Sequence, residues 1–285
     1  MKTLLFLCFL VSVAFAKPPT IQFKSNTKSQ NGFIVGGAEA VNGDAPHQVS
    51  LQHTSHFCGG SIISERWILT AAHCIDADDL SNPGGMSVRY NTLNLNSGTL
   101  IKVKSIKVHE QYSNVTNDND IALLETVASM NLNQTNAAAA KLPAKGNDPQ
   151  DGDLFLSGWG TLHSGDTTIP TNLQKVTVPL TNRSVCAKAY TGVVDITENM
   201  FCAGKLGIGG VDSCQGDSGG GAILNKEIVG VVSFGVGCGH PDYPGVYTRV
   251  SQYLDWIELN AKSSATTLVA VNITLFLTLF MGAIW

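Results

Sequence analysis

Ser218 lies on a glycine-rich turn, Gly216-Asp217-Ser218-Gly219-Gly220, among backbone amides that no bulky neighbour shields. A serine hydroxyl is a weak nucleophile until a base removes its proton. His73, in Thr70-Ala71-Ala72-His73-Cys74, is the candidate base. Asp120, heading Asp120-Ile121-Ala122-Leu123, is the candidate acid that fixes the imidazole tautomer and stabilises its charged form. Taken singly, such a serine is usually part of a plain turn, a histidine structural, and an aspartate a solvated loop acid. Here Cys74 and the apolar run after Asp120 put the pair on ordered structure. Asp118 has no such run behind it and reads as a surface charge. The chemistry on offer is attack of a serine on a carbonyl carbon.

The ends of the chain frame these residues. Residues 1–16 read as a signal peptide: Lys2 is the positive end, Leu4 to Phe15 is apolar, and Ala14-Phe15-Ala16 is a small-x-small cleavage site. A run of about a dozen apolar residues is too short to span a bilayer. Cys8 leaves with that segment, and six cysteines remain for an oxidising compartment, so three disulfides are expected. Six cysteines allow about 15 pairings, and spacing does not choose among them.

From residue 34 onward, 14 Lys and Arg stand against 22 Asp and Glu, a formal charge of −8. With no basic cluster, nucleic acid is excluded as an expected partner. Charged residues make up 14% of the chain, against about 25% in an average domain. Polarity comes instead from Ser, Thr, Asn and Gly, which suits a loop-rich extracellular β protein. Asn114-Val115-Thr116, Asn133-Gln134-Thr135 and Asn182-Arg183-Ser184 are glycosylation acceptor patterns.

Lys17 to Phe33 has two prolines and little apolar periodicity, and reads as a pro-segment over residues 17–33. Beyond it, Gln48–Gln52, Trp67–Thr70, Val176–Val178, Ile228–Phe234 and Gly245–Val250 are predicted strands separated by Gly, Pro, Asn and Ser. The apolar positions of Leu100–Val108 change phase between Val103 and Ile106, which predicts a bulge. Only Val250, Tyr253, Leu254 and Ile257 recur at helical steps. Many short strands followed by one terminal helix argue an all-β barrel or sandwich.

The order His73, Asp120, Ser218, together with Ile34-Val35-Gly36-Gly37, resembles the chymotrypsin/trypsin family of serine proteases. The resemblance spans about residues 34–262. It implies two six-stranded antiparallel β-barrels and a C-terminal helix, with the site in the cleft between the barrels. It also implies the pairings Cys58–Cys74, Cys186–Cys202 and Cys214–Cys238, a lean set like that of arthropod trypsins. Each bridge would add about 2–4 kcal/mol.

The resemblance assigns further roles. The backbone N–H groups of Gly216 and Ser218 become oxyanion donors, each worth about 3 kcal/mol. The α-amino group of Ile34, once freed at Phe33, pairs with Asp217. Asp212 becomes the acid at the floor of a pocket for Lys or Arg side chains, with Ser233, Gly235 and Gly245 along the substrate site. No cofactor or metal is implied, and Tyr90–Thr99 lacks the carboxylates of the family's calcium loops. The chain departs from the pattern at Phe234, where Trp is usual, and at Gly221, where Pro is usual; the glycine is expected to loosen the chain after the nucleophile.

The expected partners are protein or peptide substrates, an activating protease and protease inhibitors, with the chain a monomer. Leu268–Trp285 is an uncharged, mostly apolar stretch of 18 residues. It is compatible with a tail anchor, or with a lipid-anchor signal attached at Ser263, Ser264 or Ala265. The competing reading of the whole chain is a non-catalytic homologue acting as a binding module.

Overall fold

A computed structural model of the protein describes residues 35–261. The signal peptide, the whole pro-segment up to Phe33, Ile34 and the apolar tail lie outside the described residues. In chain order the strands are β1 (Ala38–Glu39), β2 (Gln48–Gln52), β3 (His56–Ile62), β4 (Trp67–Thr70), β5 (Ser87–Tyr90), β6 (Thr99–Val108) and β7 (Ala122–Thr126). There follow β8 (Asp153–Gly158), β9 (Gln174–Thr181), β10 (Met200–Ala203), β11 (Gly221–Leu224), β12 (Glu227–Phe234) and β13 (Gly245–Arg249). Three short helices, α1 (Ala77–Ser81), α2 (Arg183–Ala189) and α3 (Leu254–Asn260), complete the described chain.

Strands β2-β3-β4-β7-β6-β5 close into the first barrel, and β9-β10-β13-β12-β11-β8 into the second through the β8–β9 pairing, with β1 added outside β9. Every pairing is antiparallel. The phase change in the sixth strand is a bulge: register shifts against β7 between Val103 and Ser105. The C-terminal periodicity begins one turn early, as a 3₁₀ turn over Val250–Gln252 ahead of α3. All three cysteine pairings implied by the family resemblance are formed.

The barrels meet along β12, which explains its nearly continuous apolar sequence. Ile228 and Val231 join the core of the first barrel, whereas Val229 and Val232 join that of the second. A strand buried on both faces has no solvent side to mark with polar residues. Polar contacts stitch the same seam: Ser157 Oγ donates to Gln48 Oε1 at 3.0 Å, and the Gly59 N–H donates to the Ser218 carbonyl at 2.7 Å.

Candidate active site

Strand pairing alone brings two of the chemistry-bearing residues to one end of the first barrel. Thr70 at the end of β4 faces Ala122 at the start of β7. His73 follows the first in a 3₁₀ turn (Ala72–Cys74), and Asp120 lies just before the second. The Cys58–Cys74 disulfide pins that turn to β3. His73 Nδ1 donates to Asp120 Oδ2 at 2.7 Å, and the His73 backbone N–H donates to Oδ1 at 2.9 Å. This leaves Nε2 as the nitrogen able to take up a proton. The Asp120 side chain is fully buried, and that of His73 is 27% exposed. Ser233 Oγ donates to Asp120 Oδ2 at 2.5 Å, so its hydroxyl supports the acid directly.

Ser218 arrives from the second barrel on the turn before β11. Gly219 has φ +80°, and a Cβ there would lie 2.2 Å from Thr70 Oγ1 and 2.6 Å from the Gly59 carbonyl oxygen. Only glycine lets this turn seat against the end of β4, next to the His73 segment. The chain after Ser218 is tied into the sheet. Gly219 N–H donates to the Val232 carbonyl, Val232 N–H to the Gly220 carbonyl, and Gly221 is paired with Val231. Phe234 lies edge-on to Tyr190 at a 6.0 Å ring separation.

Two buried carboxylates, Asp212 and Asp217, precede the nucleophile in the chain. Asp217 is buried, accepting from the Gly160 N–H at Oδ1 and the Cys214 N–H at Oδ2, both at 2.8 Å. Burial pushes its pKa up to about 7, against the pull of those two N–H groups. Asp217 forms no ion pair among the described residues. Asp212 is also buried; Oδ1 accepts from the Ser213 N–H at 2.8 Å and Oδ2 from the Gly239 N–H at 3.0 Å. Burial raises its pKa to about 6. Cys214–Cys238 joins the segment carrying Asp212 to the one after β12. The described chain begins beside it, with the Asp212 N–H donating to the Val35 carbonyl at 3.3 Å.

Sequence reasoning missed His56. Its Nε2 donates to the Gly216 carbonyl at 2.9 Å, and its Nδ1 accepts from Ser50 Oγ at 2.8 Å. At the head of a strand, nothing local distinguishes it. Asp118 requires a correction: it is half-buried, not a surface charge, and its Oδ1 accepts from Thr197 Oγ1 at 2.7 Å and Asn199 Nδ2 at 3.0 Å. Cys58, His73 and Cys74 place ligand-type atoms within 4.8 Å of one another. Both sulfurs are in the disulfide and offer no thiolate.

The geometry pairs a polarised imidazole with a buried acid on the first barrel and seats the turn carrying Ser218, from the second, against the end of β4; no hydrogen bond between His73 and the Ser218 hydroxyl is formed. The trypsin family model matches residues 34–257. The chain belongs to the trypsin family. It is similar to Trypsin Tyr p 3.0101 of Tyrophagus putrescentiae, 94% identical over 285 residues and covering 100% of both chains. It is also similar to Trypsin Blo t 3 of Blomia tropicalis, 51% identical over 264 residues, 90% of this chain and 98% of that one. A trypsin of Phaedon cochleariae is 44% identical over 251 residues, 87% of this chain and 94% of the relative. As a family member it is a trypsin-like serine endopeptidase.

Proposed function

We propose that the protein is a secreted endopeptidase, made as a zymogen, that hydrolyses peptide bonds after Lys and Arg. Ser218 Oγ attacks the scissile carbonyl while His73 Nε2 takes its proton, and the Gly216 and Ser218 N–H groups hold the resulting oxyanion. The C–N bond then breaks as His73 returns the proton to the leaving amine, and water releases the acyl group by the same steps. Asp120 keeps the imidazole oriented throughout.

One observation carries the choice of substrate: the buried carboxylate of Asp212, with two backbone N–H partners and no cation among the described residues. A Lys or Arg side chain reaching it supplies the missing charge, whereas an apolar side chain leaves it unpaired. The test compares the activated enzyme and Asp212→Ser on peptides differing only at the cleavage residue. The wild type is expected to prefer Lys and Arg over Phe or Leu by about 10⁴-fold. An unchanged preference in the variant would overturn the assignment.

Activation follows from Phe33-Ile34. The freed Ile34 amine would neutralise Asp217, a reading supported by the buried, unpaired carboxylate and by Val35 lying against Asp212. An enzyme selective for Lys and Arg does not cut after Phe33, so a protease of chymotrypsin-like or cysteine type is the activator. Zymogen incubated with a trace of its own active form is expected to yield no Ile34 N-terminus. Asn114, Asn133 and Asn182 are exposed and open to glycosylation in the secretory pathway. No helix among the described residues is long and apolar enough to cross a membrane. Any anchoring belongs to residues 263–285, and comparing release of the full chain with one ending at Lys262 tests it. The enzyme is expected to be a monomer bound by protease inhibitors.

A further inference from the structure

We propose that Asp120 is positioned by a clasp closed from the C-terminal half of the chain, in which Asn199, beside β10, and Tyr253, after β13, are positioning residues acting on Asp118 and Asn119. This rests on the reading of Asp120 as the acid partner of His73. The segment before Asp120 is not part of a strand, since β7 starts only at Ala122. Asn117 and Asn119 bracket Asp118 with φ of 54° and 56°, a left-handed conformation that asparagine tolerates better than other residues with a side chain.

The surroundings come from both sides of the segment: the Asn117 N–H donates to the Ser113 carbonyl at 2.8 Å and the Ser113 N–H to the Asp118 carbonyl at 3.1 Å, while Thr197, Asn199 and Tyr253 reach in from the later part of the chain. Asn119 Oδ1 accepts from the Tyr253 hydroxyl at 3.1 Å and from Asn199 Nδ2 at 3.4 Å. The same Asn199 amide reaches Asp118 Oδ1, beside the Thr197 hydroxyl. On its own side, Asn119 Nδ2 donates to the Gln111 carbonyl at 3.1 Å. Asn199 is itself fixed, because the Arg249 N–H donates to its carbonyl at 2.8 Å. The neighbouring Thr248 hydroxyl donates to the Asp120 carbonyl at 2.7 Å. One strand end, Thr248–Arg249, thus holds Asp120 directly and Asp118–Asn119 through Asn199, and Tyr253 follows within one turn.

The carboxylate of Asp120 must meet two directed donors of His73 at once. Its place is set by a backbone held from two sides: the Ile121 N–H donates to the Asn119 carbonyl at 2.9 Å within the first barrel, and the Thr248 hydroxyl donates to the Asp120 carbonyl at 2.7 Å from the second. A displacement of about 1 Å in a catalytic group costs on the order of 10²-fold in rate, so partial loosening should be visible in kcat.

The experiment uses the activated full-chain enzyme and the variants Asn199→Ala, Tyr253→Phe, Asp118→Ala and Asp118→Asn. The readouts are kcat, KM, benzamidine affinity, melting temperature and the low-field proton resonance of the His73–Asp120 hydrogen bond. Asn199→Ala and Asp118→Ala are expected to lower kcat about tenfold, with KM and benzamidine affinity within about twofold, and to shift or broaden the resonance. Asp118→Asn keeps an acceptor oxygen and should restore most of kcat. Tyr253→Phe removes one hydroxyl and remains informative if an alanine variant fails to fold. A lowered melting temperature with kcat and resonance unchanged would overturn the clasp while leaving the triad intact. Wild type that an acylating serine reagent does not label would overturn both.

Discussion

The Nε2 of His56, on the first barrel, donates to the carbonyl of Gly216 on the second at 2.9 Å. Burial holds the pKa of this imidazole down at about 4, so it stays neutral at working pH, with Nε2 protonated and Nδ1 accepting from Ser50. The peptide following Gly216 is thereby fixed beside the nucleophile. His56→Ala is expected to lower kcat about tenfold with a smaller change in KM, as for a group that orients transition-state donors. Steady-state kinetics on a Lys or Arg peptide checks it, and an unchanged kcat would reject the role.

Cation binding at Asp212 should titrate. Its pKa of about 6 means that below this pH a cation binding there must first displace a proton. Benzamidine affinity is expected to be level above about pH 7 and to fall about tenfold per unit well below pH 6. Calorimetry across that range, with Asp212→Ser as the pH-insensitive control, decides the point.

Space above that carboxylate is equally specific. A Cβ on Gly245 would lie 2.7 Å from Asp212 Oδ1, with the Tyr247 hydroxyl 3.3 Å away. Gly245→Ala should put a methyl where the substrate's charged end belongs. The expected loss in kcat/KM on Lys and Arg substrates is about 10²-fold. Unaltered kinetics would mean that side chains do not approach Asp212 past this residue.

Asp217 gives a stability difference between the two forms of the chain. Its folded pKa, about 7, lies above the ordinary value of 3.8. The folded zymogen therefore binds a proton that the unfolded chain has already released. Its stability from this group is fully present below about pH 4 and is lost as pH rises to about 7. An Ile34 amine paired with the carboxylate removes that penalty. The melting temperature of the cleaved form should gain on that of the zymogen as pH rises from about 4 to 7. Parallel curves for the two forms would argue against the pairing.

Calcium is expected to leave stability unchanged. Within Tyr90–Thr99 the polar groups bond to one another: Thr92 Oγ1 donates to the Asn94 carbonyl and meets Ser97 Oγ, and Asn94 Oδ1 accepts from the Asn96 N–H. Binding to the folded state would raise the melting temperature by mass action. A clear rise with calcium over chelator would contradict the reading.

Much of this fold was legible because its local signals agree. Gln48–Gln52 and Trp67–Thr70 were predicted with the bounds they have, and the slip after Val103 marked the bulge. The pairs that do the positioning were not legible. His56 and Gly216 are 160 residues apart, and Ser233 and Asp120 are 113 apart. Asp118 misled for a similar reason: its partners, Thr197 and Asn199, come from the C-terminal half of the chain. Short-range pattern describes what a strand buries, whereas a hydrogen bond across a closed barrel seam leaves no periodicity behind.

The division of labour across the seam has a consequence for synthesis. His73 and Asp120 are translated in the first half of the chain, but Ser218, Ser233, Thr248 and Tyr253 are all added in its last third. The face of β12 that completes the first barrel's core also arrives late, with Ile228 and Val231. A ribosome-bound fragment therefore holds a base and an acid with neither nucleophile nor support. The order of translation itself keeps this protease silent until the polypeptide is nearly finished, well before any pro-segment has to restrain it.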